Sequence, residues 1–105
     1  DLQAIFAAND GMALGAVESA YSAGKGKDIV IVGVDGNSDA VKSIKAGRLN
    51  ASVAQLPYLV GKRAVIGATV ALHGLKLEKF QFVDTLVLTK DVIEKNTHRL
   101  MKYVK

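Results

Sequence analysis

The chain has 105 residues, half of them hydrophobic, and carries a formal net charge of +4 from 14 Lys and Arg against 10 Asp and Glu. This length allows one domain with a buried core and is short for two domains. The basic residues are scattered and the aromatic residues are few, so the sequence does not favour nucleic-acid binding. The absence of cysteine excludes a disulfide framework and a thiolate site.

The first half of the chain predicts an alternation of strands and helices. Residues 4–8 form a predicted buried strand, and a helix follows from about residue 12 to residue 23. The unbroken apolar run at residues 29–32 is typical of a parallel strand that is buried on both faces. A second helix is predicted to begin at a cap formed by Asn37 or Ser38.

The second half continues this alternation. Residues 49–55 form a third predicted strand, which Pro57 prevents from continuing. The longest helix is predicted at residues 57–72, because proline suits a first turn and the apolar residues form one stripe, interpreted as a core face. A fourth strand is predicted at residues 83–88, followed by a terminal helix or tail that ends near Lys105.

The element order β-α-β-α-β-α-β-α predicts an α/β fold with a three-layer parallel sheet and right-handed crossovers. Four short strands make a narrow sheet with two unpaired edges, and the chain begins inside a strand. We therefore expect an incomplete sheet that is a fragment of a larger protein.

Three of the predicted strands are each followed by a polar side chain: Asn9, Asp35 and Gln55. Ligands of α/β sheets bind beyond the carboxyl ends of the strands, so we expect these three side chains to converge. An ionised carboxylate accepts hydrogen bonds and the two amides both accept and donate, which suits hydroxyl groups and predicts a sugar as the ligand. The same residue types are also common in strand-to-helix turns and helix caps, and this structural alternative stays open.

Other chemistry has little support in the sequence. It contains no glycine-rich dinucleotide or phosphate motif and no nucleophilic serine motif. His73 and His98 are far apart and lack a carboxylate at ligand spacing, which disfavours a metal site. Asp10 and Asp35 could form a carboxylate pair for glycoside chemistry, but Asp10 is better explained as a helix cap. We therefore predict no catalytic residue, no metal, no cofactor and no enzymatic activity.

Four segments carry a resemblance to a known family. In chain order they are FAANDGMALG at residues 6–15, IVGVDG at 31–36, IKAG at 44–47 and ASVAQLP at 51–57. Together they resemble the C-terminal part of the ribose-type periplasmic sugar-binding proteins of ABC transporters, which belong to the LacI-like superfamily. The resemblance covers nearly the whole chain.

The resemblance implies a two-lobed protein that closes on a sugar at a hinge. The positions that match Asn9, Asp35 and Gln55 contact the sugar hydroxyls in that family. Residues 1–105 would form the C-terminal portion of the sugar-binding domain, and residues 57–82 would cross to, or pack on, an N-terminal lobe missing from this chain. Ribose-binding members commonly carry an aromatic residue before the aspartate, where this chain has Val34.

The resemblance also implies partners and a location. The expected partners are a monosaccharide or similar polyol and an ABC permease, with a homodimer or a complementing N-terminal fragment to cover the exposed surfaces. The expected location is periplasmic or extracytoplasmic. Two alternatives share the lobe fold: the effector-binding domain of a LacI-like transcription regulator, and the sensing domain of a chemotaxis or kinase system.

Overall fold

The computed structural model describes residues 1–104. Four strands and four helices alternate, followed by one short 3-10 helix. In chain order these are β1 (Ala4–Phe6), α1 (Asp10–Ser22), β2 (Val30–Asp35), α2 (Ser38–Lys45), β3 (Ala51–Ala54), α3 (Pro57–Leu72), β4 (Leu86–Leu88), α4 (Lys90–Lys95) and the 3-10 helix Met101–Tyr103.

The strands form one sheet in the order β1-β2-β3-β4. β1 pairs with β2, and β2 with β3, in parallel, as predicted. β4 runs antiparallel to β3, with Ser52 opposite Leu88 and Ala54 opposite Leu86, which corrects the predicted direction of this one strand. A parallel return requires a crossover helix that packs on the sheet. α3 has no buried residue and does not serve as that crossover.

Small residues bring the first helix close to the sheet. α1 buries Ala13, Val17 and Ala20, which lie on one face of the helix at spacings of four and three residues. A Cβ atom at Gly33 of β2 would lie 2.9 Å from the Cβ of Ala13, so this contact requires glycine. The core also contains Ile31, Ile44, Leu49, Leu56 and Leu88, each almost fully buried.

Several predicted boundaries differ from the observed ones. The first, third and fourth strands are shorter than predicted, whereas β2 extends to Asp35. The predicted terminal helix ends early, because Asn96 adopts a left-handed conformation with φ 48° that terminates α4. The predicted end near Lys105 lies outside the described residues.

α3 has the predicted bounds but not the predicted burial. None of its residues is buried, so its apolar stripe is not part of the core formed by residues 1–104. The structure is correspondingly elongated, with extents of 58 × 29 × 17 Å. Exposed apolar side chains occur along α3 and the segment after it: Tyr58, Val60, Val65, Ile66, Leu72, Leu75, Phe80 and Phe82. No helix among the described residues has the length and apolar character needed to cross a membrane.

Candidate functional site

The candidate site lies at the edge of the sheet where β1, β2 and β3 have their carboxyl ends. Parallel pairing places these ends side by side, so the three loops that follow them are neighbours. Asp35 is the last residue of β2, Gln55 directly follows β3, and Asn9 lies in the loop after β1. All three side chains are exposed at this edge.

Asp35 and Gln55 are in direct contact. The side-chain Nε2 of Gln55 donates a hydrogen bond to Oδ1 of Asp35 at 2.6 Å, and the backbone N–H of Gln55 donates to the carbonyl of Asp35 at 3.3 Å. Within residues 1–104, no Lys, Arg or His side chain forms an ion pair with Asp35, and its Oδ2 atom accepts no hydrogen bond. This carboxylate therefore has acceptor capacity that faces solvent.

The backbone of Asp35 adopts an unusual conformation. Its φ is 121°, in a region that side chains other than glycine rarely occupy. Such a conformation costs on the order of 1–3 kcal/mol and is found preferentially at functional sites. The next residue, Gly36, also has a positive φ of 75°, and a Cβ there would lie 2.6 Å from the Cβ of Ala54. The turn after β2 is thus strained and tightly packed against β3.

Asn9 has a structural role as well as a place at the edge. Its Oδ1 accepts a hydrogen bond from the backbone N–H of Met12 at 2.8 Å, which makes Asn9 the N-cap of α1. This corrects the prediction that Asp10 is the cap. Asn9 forms no hydrogen bond with Asp35 or Gln55 in the part of the chain described, where its side-chain amide N–H groups donate no hydrogen bond.

Asp10 instead links three elements beneath the edge. Its side chain is fully buried, with Oδ1 accepting from the Ser52 hydroxyl at 2.6 Å and Oδ2 accepting from the backbone N–H of Asn37 at 2.8 Å. The Ser52 oxygen in turn accepts from the N–H of Gly36 at 3.0 Å. Sequence reasoning missed this network, although one polar residue within the apolar run of β3 requires a buried partner.

Two clefts adjoin Asp35. The larger has a volume of about 710 Å³ and is lined by Asp35, Gly36, Asn37, Ser38, Ala54, Leu56, Pro57, Tyr58, Tyr103 and Val104. The rings of Tyr58 and Tyr103 stack with their centroids 5.4 Å apart. The second cleft, of about 550 Å³, is lined by Asp35, Gln55, Pro57, Val60 and Gly61. Asp35 therefore lies where the two clefts meet, beside the start of α3.

The two histidines lie outside this edge. Nδ1 of His73 is 2.8 Å from the carbonyl of Thr69 at the end of α3, and Nδ1 of His98 accepts from the N–H of Leu100 at 3.2 Å. Among residues 1–104, no group of three or more His, Cys, Asp or Glu side chains is placed to hold a metal ion.

Comparison with known proteins identifies relatives of this chain. Residues 1–76 match the family model described as a periplasmic binding protein domain. Ribose import binding protein RbsB of Bacillus subtilis (strain 168) is 54% identical over 79 residues, a match that covers 75% of this chain and 25% of the relative.

Solved structures of solute-binding proteins share the fold. A protein from Agrobacterium vitis with bound D-fucose has a TM-score of 0.79 and 36% identity, covering 99% of this chain and 35% of that one. A protein from Actinobacillus succinogenes 130z with bound D-allose has a TM-score of 0.79 and 29% identity, covering 90% of this chain and 34% of that one. The chain thus spans about a quarter to a third of the length of these relatives. On the evidence of the family model and of these relatives, the chain belongs to the periplasmic binding protein family.

Proposed function

We propose that this chain is the C-terminal portion of the solute-binding component of an ABC transporter, which binds a monosaccharide or similar polyol between two lobes. Asn9, Asp35 and Gln55 supply this lobe's share of the ligand contacts. The role is binding rather than catalysis, and the protein works with an ABC permease in the periplasm or another extracytoplasmic space.

The observation that carries this proposal is the Asp35–Gln55 pair at the carboxyl edge. Oδ1 of Asp35 is fixed by Gln55 at 2.6 Å, and Oδ2 is left to accept from ligand hydroxyls. An ionised carboxylate accepts at both oxygens, while the amides of Asn9 and Gln55 can donate to hydroxyl oxygens. Hydrogen bonds to a charged acceptor are about twice as strong as neutral ones, which makes Asp35 the dominant contact.

The relatives support the class of ligand. One is named a ribose import binding protein, and two solved structures hold D-fucose and D-allose. These sugars share several hydroxyl groups and no ionic group, which fits a site made of one carboxylate and two amides. The hydroxyl groups of the sugar are therefore the feature that this lobe is proposed to recognise.

Substitution of Asp35 tests the proposed site. In the two-lobed protein, Asp35→Ala should weaken binding of the preferred sugar among ribose, D-allose and D-fucose by about 2–4 kcal/mol, because ligand hydroxyls lose a charged acceptor in a closed site. Asp28→Ala is the matched control, since Asp28 is exposed and precedes β2 at the opposite edge. Calorimetry that finds the same affinity for Asp35→Ala and wild type would refute the site.

We also propose that residues 57–82 pack on the other lobe. α3 has no buried residue, and Val65 and Ile66 are among the large apolar side chains that it exposes. Exposed apolar surface of this extent marks an interaction face. The chain corresponds to a quarter to a third of its relatives' length, so the remaining portion of such a protein is a suitable cover.

Mixing experiments test whether the N-terminal portion covers residues 57–82. The chain and a separately produced N-terminal portion of the two-lobed protein should form a one-to-one complex by sedimentation, and Val65→Asp should weaken it. Glu18→Gln, a change on the surface of α1, is the control. Self-association of the chain that persists when the N-terminal portion is added would instead assign the face to a homodimer. A compact monomer that binds neither the N-terminal portion nor a hydrophobic dye would contradict both arrangements.

A further inference from the structure

Asp10 and Ser52 form a buried polar pair beneath the candidate site. They are the polar side chains in residues 1–104 with no solvent exposure, and they are joined by a hydrogen bond of 2.6 Å. Asp10 is the first residue of α1 and Ser52 lies in β3, so the bond connects elements 42 residues apart in the sequence. Burial of polar groups is costly unless they are hydrogen-bonded, and both side chains are satisfied here.

The pair holds the two peptide groups that follow Asp35. Ser52 accepts from the N–H of Gly36 at 3.0 Å, and Asp10 accepts from the N–H of Asn37 at 2.8 Å. Two successive amides of the turn are therefore fixed from below, by side chains that do not reach the surface. The pair also fits closely against β2, since a Cβ at Gly33 would overlap Oδ1 of Asp10.

These bonds explain how Asp35 keeps its strained conformation. A φ of 121° persists only where the surroundings over-determine it. The Gly36 N–H belongs to the peptide plane on the carboxyl side of Asp35 and the Asn37 N–H to the next plane, so their two hydrogen bonds hold successive planes of the turn. Gln55 binds the carbonyl of Asp35 and one of its carboxylate oxygens. Loss of the buried anchors would let Asp35 relax toward a negative φ, which would redirect its carboxylate.

We infer that Asp10 and Ser52 are positioning residues, which set ligand affinity by holding Asp35 in its ligand-accepting conformation without touching the ligand. The expected change in sugar affinity rests on the proposed function. The structural part of the inference, the control of the Asp35 backbone, can be measured without any ligand.

Ser52→Ala is the direct test, because it removes one hydroxyl and adds no volume. In the two-lobed protein, the NMR coupling between the amide proton and Hα of Asp35, which reports φ, should change. Affinity for the preferred sugar among ribose, D-allose and D-fucose should fall about tenfold or more, since a misdirected carboxylate loses charge-assisted hydrogen bonds. Ile44→Val in α2 is the control for lost stability: it should leave the coupling and the affinity unchanged.

A second variant keeps the test decisive if Ser52→Ala does not fold. Asp10→Asn preserves the shape of the side chain but replaces one of the two acceptor oxygens by a donor and removes the charge. The bond to Ser52 must then reverse, which leaves the buried Ser52 hydroxyl hydrogen without its acceptor and weakens the hold on the Gly36 amide. This variant should change the same coupling and lower the affinity. An unchanged Asp35 coupling in the folded variant would overturn the inference. If the wild type binds none of the sugars, the proposed function fails, while the coupling still decides the positioning role.

Discussion

β2 and α3 are both rich in aliphatic side chains, yet they differ in what covers them. Ile31 in β2 is 0% exposed, whereas Ile66 in α3 is 46% exposed. β2 lies between two paired strands and buries Ile31 in the common core, although Val30 is 49% exposed, so the run at residues 29–32 is not buried on both faces as predicted. The apolar stripe of α3 is not buried against the sheet. The comparison shows that apolar periodicity identifies the face of an element but not the surface that buries it.

The largest expected difference between the sheet core and α3 is in the free energy of unfolding. Leu88 in β4 is 0% exposed and Leu72 at the end of α3 is 87% exposed, so the same substitution samples both environments. Leu88→Ala should destabilise the chain by about 2–5 kcal/mol through lost burial and a residual cavity. Leu72→Ala should change stability by less than about 0.5 kcal/mol. Urea denaturation followed by circular dichroism measures both, and equal losses would remove the distinction.

A smaller effect is expected at the strained end of β2. Asp35→Gly and Asp35→Ala both remove the carboxylate, but only glycine adopts a φ of 121° without steric cost. The glycine variant should therefore be more stable than the alanine variant by about 1 kcal/mol, after allowance for the greater flexibility of glycine in the unfolded chain. Thermal or urea unfolding of the two variants tests this. An alanine variant that is as stable as the glycine variant would show that Asp35 is not strained.

The smallest effect on stability is expected at the exposed ion pair between Glu18 of α1 and Arg48. Arg48 donates two hydrogen bonds to Glu18, at 2.7 and 2.9 Å, and these bonds hold the pKa of the Glu18 carboxyl below its ordinary value. A lowered pKa in the folded state contributes stability above the unfolded pKa, which is lost as the pH falls through the folded value. Glu18→Gln should thus cost a little stability at neutral pH and nothing in acid. A difference that grows toward low pH would contradict this assignment.

Much of the architecture follows from local sequence signals. Pro57 marks the start of α3, and the predicted bounds of that helix agree with the structure. The direction of β4 could not be predicted from local sequence. It depends on whether α3 packs on the sheet as a crossover, which is a matter of tertiary packing. Asn9 and Asp10 are both suitable helix caps, and local sequence cannot distinguish them. The choice is set by Ser52, a distant residue that gives Asp10 a buried partner.

At the candidate site, too, local sequence predicts some features and tertiary packing decides the others. The rule that ligands of α/β sheets bind beyond the carboxyl ends of the strands led to Asn9, Asp35 and Gln55. The structure brings Asp35 and Gln55 into contact at 2.6 Å, whereas Asn9 forms no hydrogen bond with either in the part of the chain described. The rule could not reveal the strained φ of Asp35, which arises from packing between β2 and β3 and from amide anchors beneath the turn. Sugar binding by Asn9, Asp35 and Gln55 remains a prediction.

The central claim is that this edge is one half of a cleft, and two calorimetric titrations with the same sugar test it most directly. One uses the chain alone and the other uses the two-lobed protein. A single lobe supplies part of the contacts and cannot exclude water, so the chain alone should bind at least about 100-fold more weakly, or not measurably. Binding of micromolar or tighter affinity by the chain of residues 1–105 alone would contradict the account.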